Sequence, residues 1–369
     1  METVPTPPAA TGPAPRRVRR WIGIILRLLF LAAILGYLLH ANRDSVRTLL
    51  EQHPHWLFLA PAFAFFLAGL LIAIGRWHLL LRAAGVEVSP WWVFRCGLIG
   101  AFFNTFIPGG AGGDAVRVGL VCKDLPGRRS SAAVSVVVDR IVGLGGLFVL
   151  AAVMILLDWP AFAPPGKLFP MAAAVLAVSG ALLAGLALLH AVRNDRRWPR
   201  FDQDRLSGKI LGALAAYRHR VGRLLAALAL SLVVHFSTCV SLYLCVLANP
   251  FEETLGFGTT LALGCVSNVV NALPLTAGGI GLGEGAFQEL AALAGYSRGF
   301  TAFLLYRFVM IAANLLGGPF LLGRALALPA GGAARLRSDQ EDQFRAKRDQ
   351  VDQGNADPSM EKEPPPPLP

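Results

Sequence analysis

The stretch Phe103-Asn104-Thr105-Phe106-Ile107-Pro108-Gly109-Gly110-Ala111-Gly112-Gly113-Asp114-Ala115-Val116-Arg117, FNTFIPGGAGGDAVR, decides how this chain is read. An apolar run enters it, a proline and four glycines interrupt it, and an acid and a base follow. Proline and glycine at this density break a helix, yet the approach is as apolar as a membrane segment. Irregular backbone at membrane depth is tolerated only where it is buried in protein or lines a wet cavity. The stretch therefore predicts a broken, re-entrant segment.

The surrounding chain makes a membrane the right solvent. Of 369 residues, 54% are hydrophobic and 15% charged, where a soluble domain carries roughly a quarter charged residues; an ordinary soluble enzyme is excluded. Apolar runs fall at about 21–39, 56–75, 91–107, 132–157, 168–190, 222–248, 257–273 and 300–323. About twenty helical residues cross a hydrocarbon core about 30 Å thick, so the fold class is an all-α integral membrane protein. The formal charge of +11 resides in loops between the runs. Its cations read as orientation signals, and no nucleic-acid partner is expected. Cys96, Cys122, Cys239, Cys245 and Cys265 lie in or beside apolar runs without metal-site spacing and read as small buried hydrophobes.

Arg16, Arg17, Arg19 and Arg20 precede the run Trp21 to Leu39, which is too long for a signal peptide and lacks a small-residue cleavage site. It is expected to stay as the first membrane helix, with Arg27 snorkelling to the interface. Residues 1–15 and 330–369 are too polar or proline-rich to fold, and are expected to be disordered cytoplasmic tails flanking a polytopic domain over 16–329.

Charge parity sets the number of crossings. Residues 193–223 carry nine Lys/Arg, the strongest cytoplasmic signal, and the N-terminal arginines are the second. Eight full spans would place these signals on opposite sides. If the run 91–107 turns at Pro108 and returns through 114–122, they share a side, and the acidic loop 249–256 falls outside. The run 257–273, turning through 274–283 and returning through 284–294, repeats the device. About six full transmembrane helices plus two glycine-rich re-entrant hairpins result, in a multi-pass protein of the cell inner membrane with both termini cytoplasmic.

The two hairpins are related in sequence. The first reads Asn104, Pro108, Gly109-Gly110-Ala111-Gly112-Gly113-Asp114; the second reads Asn271, Pro274, Gly278-Gly279-Ile280-Gly281-Leu282-Gly283-Glu284. An intramembrane arginine follows each acid, in Asp139-Arg140 and in Tyr306-Arg307. Three crossings separate the hairpins, so the repeat is inverted, the arrangement that points to a midplane transport site.

An arginine inside a membrane helix costs several kcal/mol unless paired, and guanidinium matches phosphate through two parallel hydrogen bonds. Arg140 and Arg307 thus either hold a phosphate or pair internally, with Asp114 and Glu284 respectively; a lipid phosphate competing for the arginine reconciles the two. The glycines either supply backbone N–H donors to an anion or allow close helix packing. Asp114 is also a good helix N-cap. Asn104, Asn271 and His235 either line the site or bridge helices. Neither a nucleophile with its base, nor paired metal ligands, nor a Walker-type loop is present, so no cofactor and no metal is expected.

FNTFIPGGAGGDAVR, with Val138-Asp139-Arg140 and GGIGLGEGA over Gly278 to Ala286, resembles the transmembrane flippase-like domain of the lysylphosphatidylglycerol synthase family across about residues 20–325. The resemblance implies a polytopic domain that moves phospholipid between leaflets. Full-length relatives add a soluble aminoacyltransferase; the forty polar residues after Ala330 are too few for one, so synthase activity is not expected. Pro108, Gly109, Gly112, Gly113, Asp114 and Arg117 match the first signature, Asp139 and Arg140 the pair, and Gly278, Gly279, Gly281, Glu284 and Gly285 the second. Ala277 and Gly283 depart from it, replacing an expected proline and arginine. The expected function is a lipid flippase or scramblase, not an enzyme, with membrane lipids as partners bound by their phosphate. The alternatives are a membrane subunit or enzyme of lipid or polyprenyl-phosphate modification, including aminoacylated phosphatidylglycerol metabolism, and a scaffold for a separate lipid-modifying enzyme. The sequence does not specify an oligomeric state.

Overall fold

The computed structural model describes residues 54–106, 112–191, 220–249, 255–272 and 281–321, with Arg43, Arg47, Glu51 and Tyr217. The run 21–39, both tails, most of the basic loop and the turns 107–111 and 273–280 lie outside the described residues. So do Pro108, Gly109, Gly110, Gly278 and Gly279.

The described residues are helical, without strands. A 3₁₀ turn, Trp56–Phe58, leads into α1 (Leu59–Ala83); α2 (Pro90–Phe106), α3 (Gly112–Asp124) and α4 (Arg129–Leu157) follow. After a single helical turn, Trp159–Phe162, come α5 (Phe169–Ala191), α6 (Val221–Leu247), α7 (Phe257–Asn271), α8 (Leu282–Leu293) and α9 (Gly299–Leu315). Local chemistry marks the starts. Pro90 opens α2, where its missing N–H costs nothing, and the Ser89 hydroxyl accepts from Trp92 N–H at 3.2 Å. Gly281, with φ of 87°, turns the chain into α8 through a conformation that side-chain-bearing residues avoid.

Among the described residues five helices are long and apolar enough to span a membrane: Trp56–Ala83, Arg129–Leu157, Phe169–Leu188, Val221–Leu247 and Gly299–Leu321. They lie on five of the six runs predicted to cross fully; the sixth is 21–39. By contrast α2, α3, α7 and α8 have 17, 13, 15 and 12 residues, so each extends only about 18 to 25 Å at 1.5 Å per residue. Exposed Trp56 and Trp159 sit at span ends and exposed Trp91 at the start of α2, the positions that interfacial aromatics favour.

Helix contacts follow a two-part scheme. α1 packs along α6. The pairs α1–α2, α2–α3, α3–α4 and α1–α4 are matched by α6–α7, α7–α8, α8–α9 and α6–α9, while α4–α6 and α4–α7 are matched by α9–α1 and α9–α2. Three apolar clusters fill the spaces between helices, the largest joining α1, α4, α6, α7, α8 and α9. Cys96, Cys239, Cys245 and Cys265 are buried as expected, whereas Cys122 is half-buried.

Candidate functional site

The short helices place their acids identically. Asp114 is the third residue of α3 and Glu284 the third of α8, each in a first turn that favours negative charge. The N-cap role considered for Asp114 does not apply, because its carboxylate turns to arginines instead. Arg140 Nη1 donates to Asp114 Oδ2 at 2.6 Å, and Arg307 donates to Glu284 through Nε and, at 2.8 Å, through Nη2. Both expected pairs are present. Their settings differ sharply: the Arg140 and Asp114 side chains are 31% and 19% exposed, those of Arg307 and Glu284 only 4% and 1%.

Around Arg140 the first half builds a network. Asp139, adjacent to Arg140 in sequence, accepts from Arg76 Nε at 2.9 Å and Arg117 Nη1 at 3.3 Å. Arg76 Nη1 also donates to Ser231 Oγ at 2.7 Å, so α1, α4 and α6 meet at one guanidinium. Arg117 Nη1 lies 3.5 Å from Asp114 Oδ1, at the limit of a hydrogen bond. Its guanidinium lies 4.1 Å from the ring centroid of Trp77, a cation–π contact, and Trp77 Nε1 is anchored on Ser135 Oγ at 3.2 Å. Arg117 Nε is buried with no hydrogen-bond partner among the described residues. Among those residues three arginines face two aspartates here, one more positive than negative charge.

These groups line a cavity of about 250 Å³. Arg76, Arg117, Arg140, Asp114, Asp139 and Asn104 are in its wall, as is His235, whose Nε2 bonds the Gly143 carbonyl at 2.9 Å. Gly113 has a different task. A Cβ there would overlap the Gly100 carbonyl oxygen and come within 2.6 Å of Asn104, so its glycine lets α2 and α3 touch. Its N–H donates to Asn104 Oδ1 at 2.7 Å. Gly112 is buried beside it.

The second half closes on itself. Arg307 Nη2 also donates to Asn271 Oδ1 at 3.0 Å, and Gly281 N–H donates to Glu284 Oε2 at 3.0 Å. Arg307, Glu284, Asn271 and Gly281 are thus joined to one another and do not line the arginine cavity. Counted from the two acids, Phe287 occupies the place of Arg117, and counted from the two arginines, Tyr306 occupies that of Asp139. Phe287, Phe303 and Tyr306 stack in series, with centroids 5.7 and 5.3 Å apart. Arg140 also reaches the other half: its Nη2 donates to the Ala272 carbonyl at 3.2 Å.

Sequence reasoning missed Arg76, Trp77 and Ser231. The apolar run ends at Gly75 by composition, but the helix continues to Ala83, so Arg76 is enclosed by protein instead of standing at an interface. Arg140 and Arg307 lie about 16 and 12 Å from their helix starts at 1.5 Å per residue.

The family model described as the lysylphosphatidylglycerol synthase TM region matches residues 24–318, and the chain belongs to that family. It is a multi-pass membrane protein linked to lipid modification or transport. No curated protein matches the chain.

Proposed function

We propose that this chain, as a member of the lysylphosphatidylglycerol synthase transmembrane family, moves a phosphate-bearing lipid between the leaflets of the inner membrane. The observation that carries the reading is the arginine cavity: an excess positive charge with a buried, unpartnered guanidinium N–H on Arg117. A phosphate accepts from such a fork through two oxygens. Arg117 and Arg140 hold the head-group phosphate, and Asp114 is the carboxylate it displaces from Arg140. Buried ion pairs come close to breaking even against desolvation. Exchanging one anion for another therefore costs little, which permits both loading and release. Asp139 and Arg76 fix Arg117 from behind, and acyl chains stay in the bilayer.

The matched helix contacts and the charge parity of the loops support an inverted repeat with α2–α3 and α7–α8 as re-entrant pairs and both termini cytoplasmic. In such a repeat the two pairs open alternately to the two sides. The role is transport, not catalysis.

The test is translocation in proteoliposomes of a phosphatidylglycerol labelled on one acyl chain, read by chemical reduction of label in the outer leaflet. Arg117→Ala with Arg140→Ala abolishes protein-dependent movement. An unchanged rate in a variant that folds normally sinks the mechanism.

A further inference from the structure

A different face of α4 borders a second cavity, of about 430 Å³, between α4, α5 and α6. Val138, Ile141, Leu182, Leu186 and Leu228 contribute to its wall, and Tyr217 is its one polar side chain among the described residues. It is open to the surroundings, since Ile141 is 58% exposed. Gly145 and Gly185 face one another's helices across it, and a Cβ added at either would meet nothing within 4 Å. From Val138 to Val149 the groove follows α4 for about 16 Å. In a membrane, an open slot of this composition faces hydrocarbon.

One end of the slot is strongly basic. Tyr217 Oη donates to the Leu80 carbonyl at 3.0 Å, and Arg220 Nη1 and Arg223 Nη1 donate to the Arg82 carbonyl at 2.9 and 2.7 Å. All three converge on the last turns of α1. Burial, and the charge of Asp139, push the Tyr217 phenol above its ordinary range, so it stays a neutral donor. Arg220 stands one turn before Leu224, which with Leu228 lines the slot. Both arginines are exposed and retain further guanidinium donors. Seven more Lys/Arg precede them within residues 193–218, a density that draws anionic lipid.

We propose that this groove binds an anionic phospholipid, one acyl chain lying between α4, α5 and α6 and the phosphate on Arg220 and Arg223. The site is separate from the arginine cavity and does not rest on the transport reading. The lipid is a fixed ligand that seats α5, which packs on α4, against the rest of the bundle.

The experiment is native mass spectrometry of the full chain from micelles holding phosphatidylglycerol and phosphatidylcholine in equal amounts. The wild type retains one phosphatidylglycerol in preference to phosphatidylcholine by about tenfold or more, the scale expected for two basic residues. Arg220→Gln with Arg223→Gln keeps amide donors for the Arg82 carbonyl and brings the preference to parity. Gly145→Leu fills the groove and loses the retained lipid of either kind, and Gly185→Leu does the same from the opposite wall. The same comparison in the Arg117→Ala, Arg140→Ala background, where the transport cavity has lost its phosphate ligands, still shows a retained phosphatidylglycerol that Gly145→Leu removes, which separates this site from the transport cavity. Equal retention in wild type and both glycine variants overturns the proposal, as does a preference that survives the glutamine variant. A dimer without lipid that Gly145→Leu dissociates also overturns it and assigns the groove to a second copy of the chain.

Discussion

The two halves of this molecule start from one pattern and end with different electrostatics. Each sets an acid in the third position of a short helix and an arginine in the span that follows. In the first half Arg117 and Asp139 extend the pair into a network around a cavity. In the second, Phe287 and Tyr306 stand in those places, their rings stacked through Phe303, and Arg307 and Glu284 are buried. On the proposed transport reading the same ion pair is exchangeable in one half and structural in the other. Access decides which: a charge pair can trade partners only where a third ion can reach it.

That contrast can be broken most forcefully at Arg307. Arg307→Ala strands Glu284 in a buried site and lowers stability by about 3–5 kcal/mol, seen as a large fall in unfolding temperature. Replacing the pair together, Glu284→Leu with Arg307→Met, restores stability to near the wild-type value. Arg140→Ala, by contrast, leaves Asp114 beside Arg117 and partly exposed, and costs about 1 kcal/mol while abolishing lipid movement. Equal losses for the two arginines would erase the distinction.

The hairpin glycines provide the next test. Gly113→Ala forces a methyl group against the Gly100 backbone and costs about 3 kcal/mol, whereas Gly283→Ala meets the edge of the Phe303 ring at 2.7 Å, which can turn, and costs about 1 kcal/mol. Thermal unfolding of the two variants should rank them in that order. Asp139→Asn lies between these two, because the amide oxygen still accepts the Arg76 hydrogen bond. It costs about 2 kcal/mol of charge-assisted bonding, and by raising the positive excess it tightens binding of a phosphate-bearing lipid, measurable by titration. A weakened affinity would mean that Asp139 contacts the ligand. The smallest effect belongs to Trp77→Phe, which keeps an aromatic face under Arg117 but releases Ser135, at about 1 kcal/mol with translocation retained.

Much of this was legible in the sequence because it is local or repeated. Proline and glycine spacing marked where helices break, and the Asn–Gly-rich–acid pattern paired Asp114 with Arg140 and Glu284 with Arg307 through the matched arginines. Arg76 was not legible. It lies 63 residues from Asp139 and its setting depends on helix α1 running on past the apolar run, which the burial of Trp77, Leu80 and Leu81 secures. Nor could sequence tell the two halves apart in access. That difference comes from which side chains surround each pair in space, and from Asp139 and Arg140 pointing about 100° apart around one helix.

The hydrogen bond from Arg140 to the Ala272 carbonyl has a consequence for how the chain can be divided. Ala272 follows Asn271, which holds Arg307, so adjacent residues at the end of α7 serve one arginine from each half. Neither half completes its polar interior alone. Produced as two fragments split before α6, the first would leave Arg76 and Arg140 without their partners on α6 and at the end of α7, and only co-expression would yield a stable protein. The pattern that recurs in the sequence thus does not mark out two parts that can stand alone.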